Sequence, residues 1–505
     1  MSGTEIELKL LVPARDLARI FQSGPVTRRA AGQARRSLLT GIYYDTPECD
    51  LRSRGVALRL RRENGQWVQA LKGEGRIAGG LHQREELEWP VPGRRIDPAL
   101  LAQSRHSDLF ARRRVADSLQ PVFTTRFSRT AQSLRFDDGT LVQLCADRGS
   151  IRAGTRQAPI SELEIELKSG DPIRLYDLAQ ELVDLLPLRP GDLSKAERGY
   201  ALLFPEPARP RKALAAALDR DTPAIVALER IAGACMAQIQ ANEDGFLTSG
   251  DPEYLHQLRV GFRRLRVALS LPQEPAWREA LAPLKAELQW LFSVLGPARN
   301  WDVYVTETLA PLAAHAAGAV DLMAWKARCR RLRARQLEAA REAVRSPRYA
   351  RLLLALGALL RRPAWAEGAG PLAAQFANIA LERHDRRVRR TGGGLALASA
   401  EERHRTRIQA KKLRYCAEFF ASLYPKKKVK RYVAALSRLQ DVLGALNDAG
   451  IGASMTVNAA KGWRRGDAQV IGMVQGWIAA NEAHLLESLE RAWGEFAKQD
   501  SYWGR

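Results

Sequence analysis

Over its first two hundred residues the chain alternates with period two. Ile6, Leu8 and Leu10 interleave with Glu5, Glu7 and Lys9, and the rhythm returns in Val56 to Arg61, Trp67 to Lys72, Glu85 to Trp89 and Glu162 to Leu167. Glycine-bearing turns such as Glu63-Asn64-Gly65 and Asp137-Asp138-Gly139 separate these runs, which predicts a series of strands. The polar face of strand after strand carries charges instead of the mixed polar residues of a solvated sheet. Strands of this kind, closed into a barrel, would line its lumen with those charges.

Near Phe204 the rhythm changes. The prolines of residues 205–218 predict an extended linker, and beyond 219 Ala, Leu and Arg recur at spacings of three and four, which predicts helices throughout. The helical half also repeats itself. His256-x-x-Arg259-x-x-x-Arg263-Arg264-x-Arg266 returns 148 residues later as His404-x-x-Arg407-x-x-x-Lys411-Lys412-x-Arg414, and Leu288, Leu291 and Leu295 return as Leu436, Leu439 and Leu443. Two copies of one helical unit are therefore expected, over 219–365 and 366–503. The expected organisation is a strand domain over 1–204, the linker, and a duplicated helical domain over 219–503.

Charge narrows the partners. The chain of 505 residues has a formal net charge of +23, of which residues 201–505 carry +17. Such a field favours polyanions: nucleic acid, an anionic membrane surface or a phosphate polymer. No apolar run reaches the ~20 residues that span a bilayer, and Glu5 and Glu7 stand where a signal peptide needs positive charge, so a cytoplasmic protein without a membrane partner is expected. The five dispersed cysteines include no C-x-x-C pair and predict free thiols.

Glu5-x-Glu7-x-Lys9 places two carboxylates and an ammonium on one strand face, and Glu162, Glu164 and Glu166 form a second acidic row. Oxygen-only ligands suit Mg²⁺ or Mn²⁺ better than Zn²⁺. Opposing them are Arg59, Arg61, Lys72, Arg84 and Arg126, so the residues describe a cavity with metal on one wall and phosphate on the other. In the helical half, His256, Arg259, Arg263 and Arg266 share an arc of roughly 80°, as do their counterparts in the second copy. Trp and Tyr do not interleave with these stripes, which argues against nucleic acid as the main ligand.

These residues resemble two known families. Glu5-x-Glu7-x-Lys9, Tyr44-Asp45-Thr46, Arg59 and Arg61, Lys72, Glu86 and Glu88 after Arg84, Arg126, Asp147, the Glu162/Glu164/Glu166 strand and Lys195 in Ser-Lys-x-x-Arg-Gly-Tyr resemble the CYTH, or triphosphate tunnel metalloenzyme, superfamily. The duplicated stripe with His256 and His404 resembles the CHAD domain, and the order matches bacterial CYTH-CHAD inorganic triphosphatases. One departure is Arg299-Asn300-x-Asp302, where the family has Arg-Asp-x-Asp.

The resemblance implies an α+β multidomain protein: an eight-stranded antiparallel β tunnel followed by an all-α duplicated helical bundle. It implies hydrolysis of tripolyphosphate, with Glu5, Glu7, Lys9, Glu164 and Glu166 as catalytic residues. Lys9, Arg59, Arg61, Lys72, Arg84, Arg126 and Lys195 would grip the phosphates, and Glu5, Glu7, Asp147, Glu162, Glu164 and Glu166 would hold Mg²⁺ or Mn²⁺. Inorganic polyphosphate would bind His256, Arg259, Arg263, Arg264, Arg266, Arg299, His404, Arg407, Lys411, Lys412 and Arg414, and could draw the protein to polyphosphate granules. The alternatives are an adenylyl cyclase or thiamine triphosphatase of the same superfamily, or a non-catalytic polyphosphate or nucleic-acid binder. Such cyclases carry His-Phe before the Glu-x-Glu-x-Lys, where this chain has Met1-Ser2-Gly3-Thr4. The oligomeric state is open.

Overall fold

Eight strands alternate in the expected way and close on themselves. They are β1 (Ser2–Leu11), β2 (Arg35–Asp45), β3 (Ala57–Glu63), β4 (Gln66–Ala78), β5 (Leu81–Val91), β6 (Gln120–Arg135), β7 (Leu141–Ala153) and β8 (Arg156–Ser169). The order round the barrel is β1-β5-β4-β3-β2-β6-β7-β8, all antiparallel, and β1 closes it by pairing with both β5 and β8. A two-residue strand, β9 (Arg189–Pro190), extends the edge of β1. The computed structural model describes residues 2–205, 207–315, 322–361, 370–461 and 467–504.

The barrel is built with its apolar faces outward. Leu8, Leu10, Leu163 and Ile165 pack with Leu175, Leu178 and Leu182 of the helix Ile173–Val183, all fully buried. On the other side Leu58, Leu60, Leu71 and Leu87 pack under Leu101, Leu109 and Val115 of single-turn helices. Each fully buried leucine contributes about 1.5–3 kcal/mol, so the outer layers hold the wall, while the inward face carries the charges together with a buried apolar cluster that includes Leu39, Tyr43, Phe123 and Phe127.

Asp45 ties a further helix to this wall. Its buried carboxylate accepts hydrogen bonds from the backbone N–H of Thr46, Leu51 and Arg52 and from Tyr200 Oη at 2.6 Å. Tyr200 belongs to the helix Lys195–Leu203, which a Ser194/Glu197 capping box starts, so Lys195 is fixed at the first helical position. A close approach at Gly149 fixes the pairing of β6 and β7, where Gly149 lies opposite Phe127. A Cβ there would lie 2.1 Å from the Arg126 carbonyl oxygen. Gly149→Ala should therefore cost about 1–3 kcal/mol, read as a lower urea midpoint of the barrel signal.

The chain divides into two compact units, residues 1–209 with 345–362 and residues 210–344 with 363–505. The helix Pro347–Arg361 thus belongs with the barrel, not with the first helical copy in which the sequence pattern places it. Ala350, Leu354 and Ala358 join the core that covers β1, β7 and β8. The segment 207–219 carries no helix or strand, as its prolines predict.

In the second unit the helices Ala224–Thr248, Pro252–Leu269, Pro275–Val303 and Met323–Arg345 are followed by Ala373–Thr391, Ala400–Phe419, Lys426–Ala460 and Asp467–Ala497 in matching order. The two motif-bearing helices start 148 residues apart, at Pro252 and Ala400. Among the described residues, no helix is long and apolar enough to cross a membrane. The five cysteines are unpaired.

Candidate active site and basic face

The lumen of the barrel is a cavity of about 220 Å³. Glu5 of β1, Arg59 and Arg61 of β3, Lys72 of β4, Glu86 and Glu88 of β5, Arg129 of β6 and Glu164 and Glu166 of β8 line it, with Lys195 entering from its helix. The charges fall into two groups. In one, Lys72 Nζ lies 2.8 Å from Glu5 and 3.0 Å from Glu86, while Arg84 bridges Glu5 at 3.0 Å and Glu7 at 2.9 Å. In the other, Lys195 Nζ lies 2.5 Å from Glu162, 2.7 Å from Asp147 and 2.9 Å from Glu164. Lys9, only 1% exposed, stands between them, 3.3 Å from Glu164 and 3.8 Å from Glu7.

Burial raises the carboxyl of Glu5, yet Lys72 and Arg84 hold it well below the usual range. Glu164 is likewise kept low, against burial, by Lys195, Lys9 and Arg129. Glu7 goes the other way: burial, then Glu164 and Glu5, push it up against Lys9 and Arg84. Burial with Glu5 and Glu88 nearby pushes Glu86 up to about 7, against Lys72 and Arg59. Glu7 and Glu86 are thus incompletely compensated although Arg84 pairs with the one and Lys72 and Arg59 with the other, and Arg59 and Arg61 meet Glu86 and Glu88 through a terminal nitrogen only. Arg59 Nε and Arg61 Nε are buried without a hydrogen-bond partner among the described residues. A polyanion that brought a divalent cation would satisfy both.

Asp147, Glu162 and Glu164 can bring one oxygen each within 4.8 Å of one another, a spacing that could hold a metal ion. Here the Lys195 ammonium takes all three, and Arg198 adds a bond to Glu162 at 2.9 Å. Asp147 and Glu162 therefore brace cations. Glu5, Glu164 and Glu166 face the cavity, and Glu7 joins them through Arg84 and Lys9.

One arginine is corrected. Arg126 is exposed on the outer face of β6, because Phe127, Arg129 and Ala131 are the residues of that strand that turn inward. Arg129 donates to both oxygens of Asp147, at 2.8 and 2.6 Å, and to Glu164 at 2.5 Å. It is the luminal arginine that the sequence pattern missed. Its signal is the β7 register, which sets Asp147 opposite it.

In the helical unit the two stripes converge. Arg263 is a charged neighbour of Arg407 and Lys411, and Arg259 of Arg263 and Arg299. Buried Arg259 Nη1, Arg263 Nε and Arg407 Nε have no hydrogen-bond partner among the described residues. Burial and then Arg263 and Arg407 push the Lys411 ammonium down to about 6, and burial with Arg263 and Arg299 brings Arg259 down to about 9. Burial, Arg299, Arg263 and Arg259 hold His256 at about 4, against Glu253. His404 is exposed, and its Nδ1 lies 2.8 Å from Asn447 Oδ1.

The departure at Asn300 explains part of this. Its counterpart 148 residues on is Asp448, which lies 3.9 Å from Arg407, so the first copy lacks the carboxylate that the second offers its arginine. Asp302 is fully buried and bonded to Arg333 Nε at 2.6 Å. Three expected ligand residues, Arg264, Arg266 and Lys412, lie apart from the face, while Arg414 neighbours both Lys411 and an internal carboxylate. Arg264 is 6% exposed, ion-paired with Glu418 and stacked on Phe419, and Arg414 lies 3.5 Å from the same Glu418. Lys412 and Arg266 neighbour each other, away from Lys411.

Comparison with known proteins agrees with this division. The CYTH domain model matches residues 3–200 and the CHAD domain model residues 230–455. An inorganic triphosphatase of Haemophilus influenzae is 32% identical over 199 residues, covering 39% of this chain and 54% of that protein, so the chain spans about half the length of that relative. An uncharacterized protein of Mycobacterium tuberculosis is 26% identical over 427 residues, covering 75% of each chain. Among solved structures, the CHAD domain from the plant Ricinus communis matches with a TM-score of 0.50 and 32% identity, covering 57% of this chain and 96% of its own. The charged tunnel and the duplicated basic helices are therefore a CYTH domain followed by a CHAD domain in one chain.

Proposed function

We propose that the CYTH tunnel hydrolyses inorganic triphosphate with the help of Mg²⁺ or Mn²⁺, and that the CHAD domain binds inorganic polyphosphate. The observation that carries the first half is the lumen itself: arginines on β3 whose Nε groups are buried without a hydrogen-bond partner among the described residues stand beside carboxylates on β1 and β5 that burial and neighbouring carboxylates push up despite their ion pairs. The Haemophilus relative, an inorganic triphosphatase, supports the same substrate class.

Arg59, Arg61, Lys72, Arg129 and Lys195 would bind the phosphate oxygens, releasing their present carboxylate partners. Glu5, Glu7, Glu164 and Glu166 would hold the metal. Their all-oxygen donor set fits a hard divalent ion. When bound, that ion would neutralise charge on phosphate oxygens as phosphorus is attacked. Once they have exchanged carboxylate for phosphate, the cations around the cavity would stabilise the same charge as it develops, which is where most of the acceleration in phosphoryl transfer arises. Asp147, Glu162 and Arg198 keep Lys195 and Arg129 aimed at the lumen.

The test is phosphate release from tripolyphosphate, longer polyphosphate, ATP and thiamine triphosphate, each with Mg²⁺ and with Mn²⁺. Tripolyphosphate should be turned over fastest, and a chelator should stop the reaction. Glu5→Ala and Glu7→Ala should abolish turnover; activity retained by both at saturating metal would sink the metal assignment. The basic stripes belong to the unit of residues 210–344 and 363–505, a different one from the carboxylate rows, so a preparation in which only the tunnel is inactivated should still bind polyphosphate.

A further inference from the structure

Duplication makes each half of the CHAD domain a control for the other. Glu418 pairs with Arg264 across the helix crossing and, at 3.5 Å, with Arg414 one turn back on its own helix. The shift of 148 residues puts Lys412 in the place of Arg264, Arg266 in that of Arg414 and Ser270 in that of Glu418. One cluster therefore has its counter-charge, and its mate has none among the described residues.

The flanking helix sharpens the difference. Arg383 and Arg387 stand where the first copy has Cys235 and Ile239. Cys235 neighbours Arg264 and Glu418 much as Arg383 neighbours Lys412, so the correspondence holds in space as well as in sequence. The charges nearest Lys412 are Arg266, Arg387 and Arg383, with the Cys416 thiol beside them. Behind them sits His384, only 2% exposed, with neither ring nitrogen hydrogen-bonded among the described residues. The charges around it are Arg383, Arg387 and Lys412. Burial and these cations hold it down to about 3, so its ring is neutral and has one N–H to donate.

Lys412 and Arg383 are half-buried beside the exposed Arg266 and Arg387. Partly desolvated cations crowded by like charges, with no carboxylate beside them among the described residues, are costly, and an anion removes the cost. We propose that Arg266, Arg383, Arg387 and Lys412, backed by His384, form a second anion site that takes a single phosphate group. Arginine forks bind phosphate oxygens in pairs and the lysine adds a point charge. The strongest charges on Lys411 come from Arg263, Arg407, Asp448 and Arg414 and those on Lys412 from Arg266, Arg387 and Arg383, so the two lysines face different clusters. The site stands whether or not the Arg259 face binds polyphosphate. The phosphate group can come from a free anion or from the end of a chain.

The test uses full-length protein carrying Arg259→Ala and Arg407→Ala, acetylated with acetic anhydride with and without pyrophosphate. Labelling of Lys412 is read by peptide mass spectrometry. Pyrophosphate well above its Kd should slow Lys412 acetylation about fivefold. Ser270→Glu, which supplies the missing carboxylate, and Arg387→Ala, an exposed position, should each remove that protection. Protection by orthophosphate as well identifies a free anion as sufficient; protection by pyrophosphate and short polyphosphate alone identifies a chain end. If neither orthophosphate, pyrophosphate nor short polyphosphate protects Lys412 in the protein carrying Arg259→Ala and Arg407→Ala, the proposal is overturned. Neither result depends on whether the Arg259 face variant still binds polyphosphate.

Discussion

Arg129→Ala is expected to lower kcat/KM for tripolyphosphate by about 100- to 1,000-fold, the usual cost of deleting one fixed donor to a developing oxyanion, while Arg126→Ala stays near wild type. The two arginines are three residues apart on β6, so alternation must send one into the lumen and the other out. Arg129 faces Asp147 and Glu164 inside, whereas Arg126 is exposed. Removing Arg129 also leaves Asp147, which is fully buried, with Lys195 as its remaining ion-pair partner. Lys195 would then be drawn toward Asp147 and away from phosphate, so kcat should fall along with affinity. Steady-state phosphate release at saturating Mg²⁺ checks both variants. A large loss in Arg126→Ala with a small one in Arg129→Ala would mean that the strand register is wrong.

Much of the tunnel was legible because a barrel wall needs period-two alternation, and the unusual feature was which residues alternated. Charges at Glu5, Glu7, Lys9, Arg59, Arg61 and Glu164 could serve no core and would be a wasteful solvated face. The facing of β6 was less legible, since arginines at 126 and 129 both fit an isolated strand. Only pairing with β7 distinguishes them. Whether Asp147 and Glu162 hold metal or brace cations was not legible for a related reason: their cationic neighbours, Lys195 and Arg198, come from a helix more than thirty positions downstream.

The helix Pro347–Arg361 was misplaced because its helical periodicity was real while its partner was not encoded locally. Leu352, Leu353, Leu354, Leu356, Leu359 and Leu360 are all buried. A helix apolar on most sides must be covered on most sides, which is the signal that sets it apart from the half-polar helices of the repeat. Arg264 shows the same limit on the basic stripe. Its neighbours in sequence are ligand-like, but Glu418, 154 positions away, makes it an internal ion pair.

Replacing Arg259, Arg263, Arg407 and Lys411 together with alanine is expected to reduce polyphosphate affinity by at least about 100-fold, with a salt dependence weaker by about 0.7 per lost contact if the chain behaves as a single strand does. Tripolyphosphate hydrolysis should be unaffected, because none of the four belongs to the tunnel. In the wild-type protein the same face should couple binding to protons. Lys411, with Arg263, Arg407 and Arg414 repelling its charge and Asp448 alone opposing them, sits at about 6 instead of 10.5. Between those values the folded free protein holds fewer protons than the unfolded chain, so this group makes stability rise with pH across that window. A bound polyanion restores the ammonium. Binding near pH 7.5 should therefore take up close to one proton from Lys411, and affinity should fall as pH rises above about 6. Calorimetry in two buffers of different ionisation enthalpy measures that uptake directly. Lys411→Ala should remove most of it. Polyphosphate should also displace RNA at matched phosphate concentration, because the face offers cations without the aromatic platforms that add about 1–3 kcal/mol per stacked base. Proton release on binding, or RNA winning the competition, would show that the converging stripes serve another ligand.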